Sequence, residues 1–145
     1  MKLKVLILSL FAVVALSAGG LTAKSSANSV DVTVAKIEKI LKKKGITLFA
    51  TIDFRAGAKS IGSDMTDAKL IIFGNPKLGT RIMQRDIKAA IDLPMKVLVY
   101  KDFDGKTKIE YKDPKNLDKS YGLAGCAVLP KLSNAMDKIT TKAGM

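Results

Sequence analysis

The turn Gly74-Asn75-Pro76 and the pair Gly79-Thr80 bracket a helix start, and Lys77, Arg81 and Gln84 belong to the same segment. Unpaired N–H groups at a helix N-terminus, with two cations and an amide beside them, can hold a carboxylate or a phosphate. The same residues also make an ordinary capped helix. Asn75 suits the N-cap, Pro76 suits the first helical position, and glycine permits close packing. No Gly-Lys-Ser/Thr or Gly-x-Gly-x-x-Gly pattern accompanies them, so the capped helix is the stronger reading. Asn75, Lys77, Thr80, Arg81 and Gln84 stand as the candidate ligand-binding residues.

A second group is the carboxylate set Asp53, Asp92 and Asp113. Each falls at the end of a strand or helix, where aspartate commonly caps or turns the chain. Paired acid–base work requires two carboxyl groups within a few ångströms of each other. A third group is Met65, Met83, Met95 and Met136, which lack Met-x-x-Met spacing and read as core fillers rather than thioether ligands. Cys126 is the only cysteine, set between Gly125 and Ala127, and reads as a small buried hydrophobe. The chain has no histidine, which removes Ser–His and Cys–His catalysis and every His-containing metal site. No metal site and no cofactor is therefore expected.

The elements that must place these groups centre on Lys69–Lys101. Leu70–Phe73 is an apolar run of strand length, and Met95–Tyr100 is a second, β-branched one. Between them Leu78, Ile82, Ile87, Ala90 and Ile91 recur at helical spacing, so one long helix is expected from Pro76 to about Asp92, with Gly79-Thr80 as the place for a kink. Upstream, Val30, Val34, Ile37 and Leu41 mark a helix over Val30–Lys44, with Gly45 at its C-terminal end and three lysines suiting its dipole. Ile46–Asp53 reads as a strand with Ile46, Leu48, Ala50 and Ile52 on one face and Phe49 on the other. Phe54–Gly62 reads as a short helix and Ser63–Asp67 as a polar connection.

Downstream, Asp102-Phe103-Asp104-Gly105 signals a hairpin into a strand over Lys106–Tyr111, with Thr107, Ile109 and Tyr111 facing inward. Asp113-Pro114 opens a helical turn, and Val128–Lys142 carries Leu129, Leu132, Met136 and Ile139 on one helical stripe. The order α-β-α-β-α-β-β-α-α predicts an α+β domain with a small, mostly antiparallel four-stranded sheet covered by helices.

The N-terminus has the grammar of an export leader. Lys2 and Lys4 precede the apolar run Val5–Leu16, which is shorter than the ~20 residues of a bilayer span. Small residues follow, and cleavage fits after Ala18, Ala23 or Ala27. Residues 1–27 are thus read as signal and tether, with Lys24–Ser29 a polar, small-residue tether, and residues 28–145 as the domain. The expected location is periplasmic or secreted, with no stable membrane anchor once the leader is removed. The net charge of +12 falls to +9 if residues 1–27 go. Export and the lack of interleaved aromatics argue against nucleic acid as a partner, and favour solubility and weak attraction to anions.

The run from Ile72 to Pro114 resembles the DUF302 family. Phe73–Gln84 matches its Phe-Gly-Asn-Pro-x-x-Gly-Thr-x-x-Met-Gln pattern, Ala90–Val99 its Ala-x-Asp-Leu-Pro-x-Lys-Val-Leu-Val pattern, and Tyr111–Pro114 its Tyr-x-Asp-Pro turn. Phe49–Asp53 and Tyr121–Leu123 are weaker matches. The resemblance implies a compact α+β domain, often homodimeric, found alone or behind export signals, and brings no established activity. Phe54 and Tyr121 stand where histidine is common in the family, so a role built on those histidines does not carry over.

The reading that follows is an exported, non-catalytic, homodimeric domain that binds an anionic or apolar small ligand or a partner protein. The alternative is a small periplasmic enzyme with Asp, Lys or Tyr as its acid and base. The dimer interface is expected near Ile71–Phe73 or Val97–Val99, with the lysines of Lys106–Tyr111 blunting an open sheet edge.

Overall fold

A computed structural model describes residues 20–145. The apolar part of the expected leader therefore lies outside the described residues. Leu21–Ser26 (β1), Val30–Lys43 (α1), Thr47–Asp53 (β2), Phe54–Ser60 (α2), Ala68–Gly74 (β3) and Pro76–Met83 (α3) come first. A 3-10 helix at Ile87–Ile91 leads to Met95–Lys101 (β4) and Thr107–Lys112 (β5). A second 3-10 helix at Pro114–Lys119 precedes Val128–Gly144 (α4).

The sheet has five strands in the order β1-β5-β4-β3-β2, every neighbouring pair antiparallel, where four strands were expected. The added strand is β1, formed by residues taken from sequence as leader and tether. LTAKSS is short and polar, yet Leu21 to Ser26 pair residue for residue with Lys112 to Thr107. The strand of Thr107–Lys112 is therefore internal, and its lysines do not guard an edge. The edges are β1 and β2.

Two other expectations are corrected. The long helix stops at Met83, because Asp86 caps a new start by accepting from the Lys88 N–H at 3.0 Å. Ile82 and Ala89 are buried, but Ile87 and Ile91 point into solvent, so the apolar spacing did not mark one buried stripe. In β2 the register shifts between Leu48 and Ala50, making Phe49 an extra residue. Leu48 therefore lies opposite Phe73, on the sheet face opposite to that of Ala50 and Ile52, which pair with Ile72 and Leu70.

Period-2 alternation places Ile71, Phe73, Val97, Val99, Ile109 and Tyr111 on one face. The apolar stripes of α1 (Val34, Ile37, Leu41) and α4 (Leu129, Met136, Ile139) close over that face, and Cys126 is buried at its margin. The two fully buried threonine hydroxyls are satisfied locally, Thr33 donating to the Ser29 carbonyl and Thr140 to that of Met136, each at 2.8 Å. The other face carries Leu70, Ile72, Leu98 and Tyr100 at intermediate exposure, beside Lys96, Lys108 and Glu110. Of the segments expected at a dimer interface, Ile71, Phe73, Val97 and Val99 are thus core, and only Ile72 and Leu98 reach the open face.

Candidate functional site

Two concavities bear on the candidate residues. The first is a cleft of about 370 Å³ between α3, the start of β4 and α4, with Phe49 on its outer side. Gly74 shapes it: a β-carbon there would stand 3.3 Å from the Phe49 ring and 3.4 Å from Pro94, so glycine lets the ring close in. Gly79, inside α3, would direct a β-carbon into open space, which leaves the hollow unfilled. The walls are apolar, and Met83, Met95 and Met136 all contribute, giving a lining that can adapt to a ligand's outline. None of the lining residues is ionisable.

Asn75 and Thr80 bring the polar groups to this cleft. The Asn75 side-chain oxygen accepts from the Lys77 N–H at 3.0 Å, and its carbonyl accepts from Leu78 and Gly79 at 3.0 Å. The first N–H groups of α3 are therefore already used, and the helix start is not an anion cradle. Lys77, Arg81 and Gln84 are exposed and line neither concavity. The ligand-binding candidates thus separate into two that face the cleft and three that do not.

The second concavity is a groove of about 430 Å³ on the open sheet face, with Leu21, Leu70 and Leu98 on its floor and Ile91 and Pro114 beside them. It gathers Asp92 and Asp113 with Lys96, Glu110 and Lys112. Asp92 accepts from the Tyr121 hydroxyl at 2.8 Å and from Lys112 at 3.1 Å, and these bonds hold its carboxyl below the usual range. Burial pushes Asp113 up, but Ser133 and Lys115 outweigh it and hold it low. Asp113 also caps the following 3-10 helix through the Lys115 N–H.

Asp53 lies apart from both concavities. It caps α2 by accepting from the Ala56 N–H at 2.9 Å and pairs with Lys69 at 3.2 Å. The Ala56 bond, against a smaller effect of burial, keeps it ionised to low pH. A general acid near neutrality needs a raised carboxyl pKa, the opposite of what these three show. Among the described residues, no three His, Cys, Asp or Glu side chains gather as a metal would require. Sequence reasoning missed Phe49 as a wall and Met83, Leu132, Ala135 and Met136 as lining. Met83, Met95 and Met136 were read as core fillers, and their distance along the chain hid that they converge on one cleft.

Comparisons with known proteins bear on the whole chain. The "Fluoride-specific ion channel FluC 1" of Brucella suis biovar 1 (strain 1330) is 36% identical over 104 residues, which are 72% of this chain and 41% of that one. The "Fluoride-specific ion channel FluC 2" of Brucella melitensis biotype 1 is 36% identical over the same length, 72% of this chain and 38% of that one. The chain thus spans less than half the length of these curated relatives. No helix among the described residues is long and apolar enough to cross a membrane. A crystal structure of an uncharacterized conserved DUF302 protein from Bacillus stearothermophilus superposes with a TM-score of 0.67 at 20% identity, covering 88% of this chain and 97% of that one. The family described as "Domain of unknown function DUF302" matches residues 21–139, from the first residue of β1 into α4, and the chain belongs to that family.

Proposed function

We propose that this DUF302 chain is an exported, non-catalytic binding domain that takes an uncharged, largely apolar small molecule in the cleft between α3, β4 and α4. The observation that carries this reading is the wall chemistry: a hollow of about 370 Å³ with no ionisable lining residue and a polar edge made by Asn75 and Thr80. A charged ligand there would lose hydration without gaining a counter-ion. An apolar body with one neutral oxygen or nitrogen at the polar edge fits both parts. The groove on the sheet face supports the alternative, an enzyme, less well, because its carboxylates are spent on Tyr121, Lys112, Ser133 and Lys115. The fluoride channels of Brucella suggest that a domain of this kind also serves joined to a membrane protein. The conduction in their name is not carried over.

Two chains pairing across the open sheet face is part of the same proposal. Leu70, Ile72 and Leu98 are among the apolar side chains on that face, and the lysine-rich C-terminal end of α1 lies elsewhere.

Chemical-shift mapping with the neutral probe N-phenyl-1-naphthylamine locates the site. Amides of Met83, Leu132 and Ala135 are expected to move most. Shifts centred on Leu98 and Lys112 would transfer the site to the sheet face.

A further inference from the structure

We infer that the leader is cut on the N-terminal side of β1, so that of the three bonds that suit a signal peptidase only the one after Ala18 yields the working chain. The inference rests on the export reading above. Its evidence, however, is the way β1 is built into the domain.

Cleavage after Ala27 removes a whole strand, and cleavage after Ala23 cuts one in half. β1 holds six consecutive pairs with β5, and the ladder begins before it, with the Asp113 N–H donating to the Gly20 carbonyl at 3.3 Å. Without β1, the ladder groups of β5 that face it lose their partners. The strand is also fastened to the last helix. The Lys24 side chain is only 10% exposed, and its ammonium donates to the Asp137 carbonyl at 2.8 Å, to the Asp137 carboxylate at 2.7 Å and to the Thr141 hydroxyl at 2.6 Å. The same ammonium stands 6.0 Å from the centre of the Tyr111 ring. A surface tether has no use for a nearly covered lysine with three partners on one distant helix.

Two further contacts close the seam. The Ala27 N–H donates to the Gly144 carbonyl at 2.8 Å, and a β-carbon on Gly144 would come within 3.0 Å of the Ser25 carbonyl oxygen. The backbones of β1 and α4 therefore touch, and glycine at 144 is what lets them. The Ser26 hydroxyl meets that of Thr33 at 2.7 Å, and Thr33 is fully buried in α1. Cleavage after Ala23 makes Lys24 the first residue and sets a second positive charge, its free α-amino group, into the ladder opposite Ile109. Cleavage after Ala18 leaves Gly19 and Gly20 as a two-residue lead into Leu21. Gly20 takes φ 78°, a conformation that favours glycine.

The test is the intact mass of the full-length chain after expression with export. A chain beginning at Gly19 is expected. A chain beginning at Lys24 or Asn28 overturns the inference while leaving export intact, and a chain that keeps Met1 overturns the export reading with it. A second measurement compares two chains made to begin at Gly19 and at Asn28. The shorter one is expected to melt lower by about 10 °C or more, or to stay unfolded. Equal melting temperatures would show that β1 is dispensable and overturn the inference.

Discussion

Asp92 is the residue on which the sheet-face groove turns. Its two oxygens are claimed by the Tyr121 hydroxyl and the Lys112 ammonium, which hold its carboxyl below the ordinary 3.8. Asp86 is held low as well, first by the Gly122 N–H and then by that of Lys88, and Asp53 and Asp113 share the direction. A carboxyl whose folded pKa is depressed adds stability above its unfolded pKa and loses it as pH falls through the folded value. With no histidine in the chain, no side chain with an ordinary pKa titrates between about pH 5 and 8. Thermal melts should therefore be flat across that window and fall below about pH 4. Asp92→Asn should lower the neutral-pH melting temperature and lessen the acid decline. A steep change near pH 6.5 would show an ionisation that these contacts do not contain.

At the level of elements, the two faces of β3 and β4 make opposite demands. Val97 is fully buried against the helices, whereas Ile72 and Leu98 share the open face. A lysine at Val97 buries an unpaired charge at a cost above about 4 kcal/mol, enough to unfold many domains of this size. A lysine at Ile72 or Leu98 meets water in the single chain and a like copy in the proposed dimer. Light scattering at micromolar protein should give twice the chain mass for the native protein and one chain mass for Ile72→Lys or Leu98→Lys, with melting little changed. If those variants remain dimeric, pairing uses another surface. If the native protein itself is monomeric, the dimer is wrong.

Elements with a strong local signature were readable from sequence. The stripe of α1, the Asp-Gly hairpin, the alternation of β5 and the stripe of α4 all occur where expected, because each period matches the side that is buried. What failed depended on distant partners. β1 exists because β5 offers it a ladder and α4 offers Lys24 three acceptors, neither of which is visible in LTAKSS. The break after Met83 was signalled by Asp86, but the helical spacing of Ile87 and Ile91 hid it. The candidate site followed the same rule. Asn75 and Thr80 could be singled out because their turn is local, while the other walls of the cleft they line come from β2, β4 and α4.

For the molecule as a whole, the architecture sets a charged groove on one side of the sheet and an uncharged cleft beside the helix layer, and the proposal assigns ligand binding to the second. Filling the cleft tests this most directly. Ala135 lies on the cleft side of α4, and a phenylalanine there would extend into the hollow rather than into the packed core. In a fluorescence titration with N-phenyl-1-naphthylamine, the native chain should bind saturably, one probe per chain. Ala135→Phe should weaken binding roughly tenfold or more, about 1.4 kcal/mol, without lowering the melting temperature. Saturable binding of equal strength in both, or none in the native chain, would contradict the assignment of the cleft as the binding site.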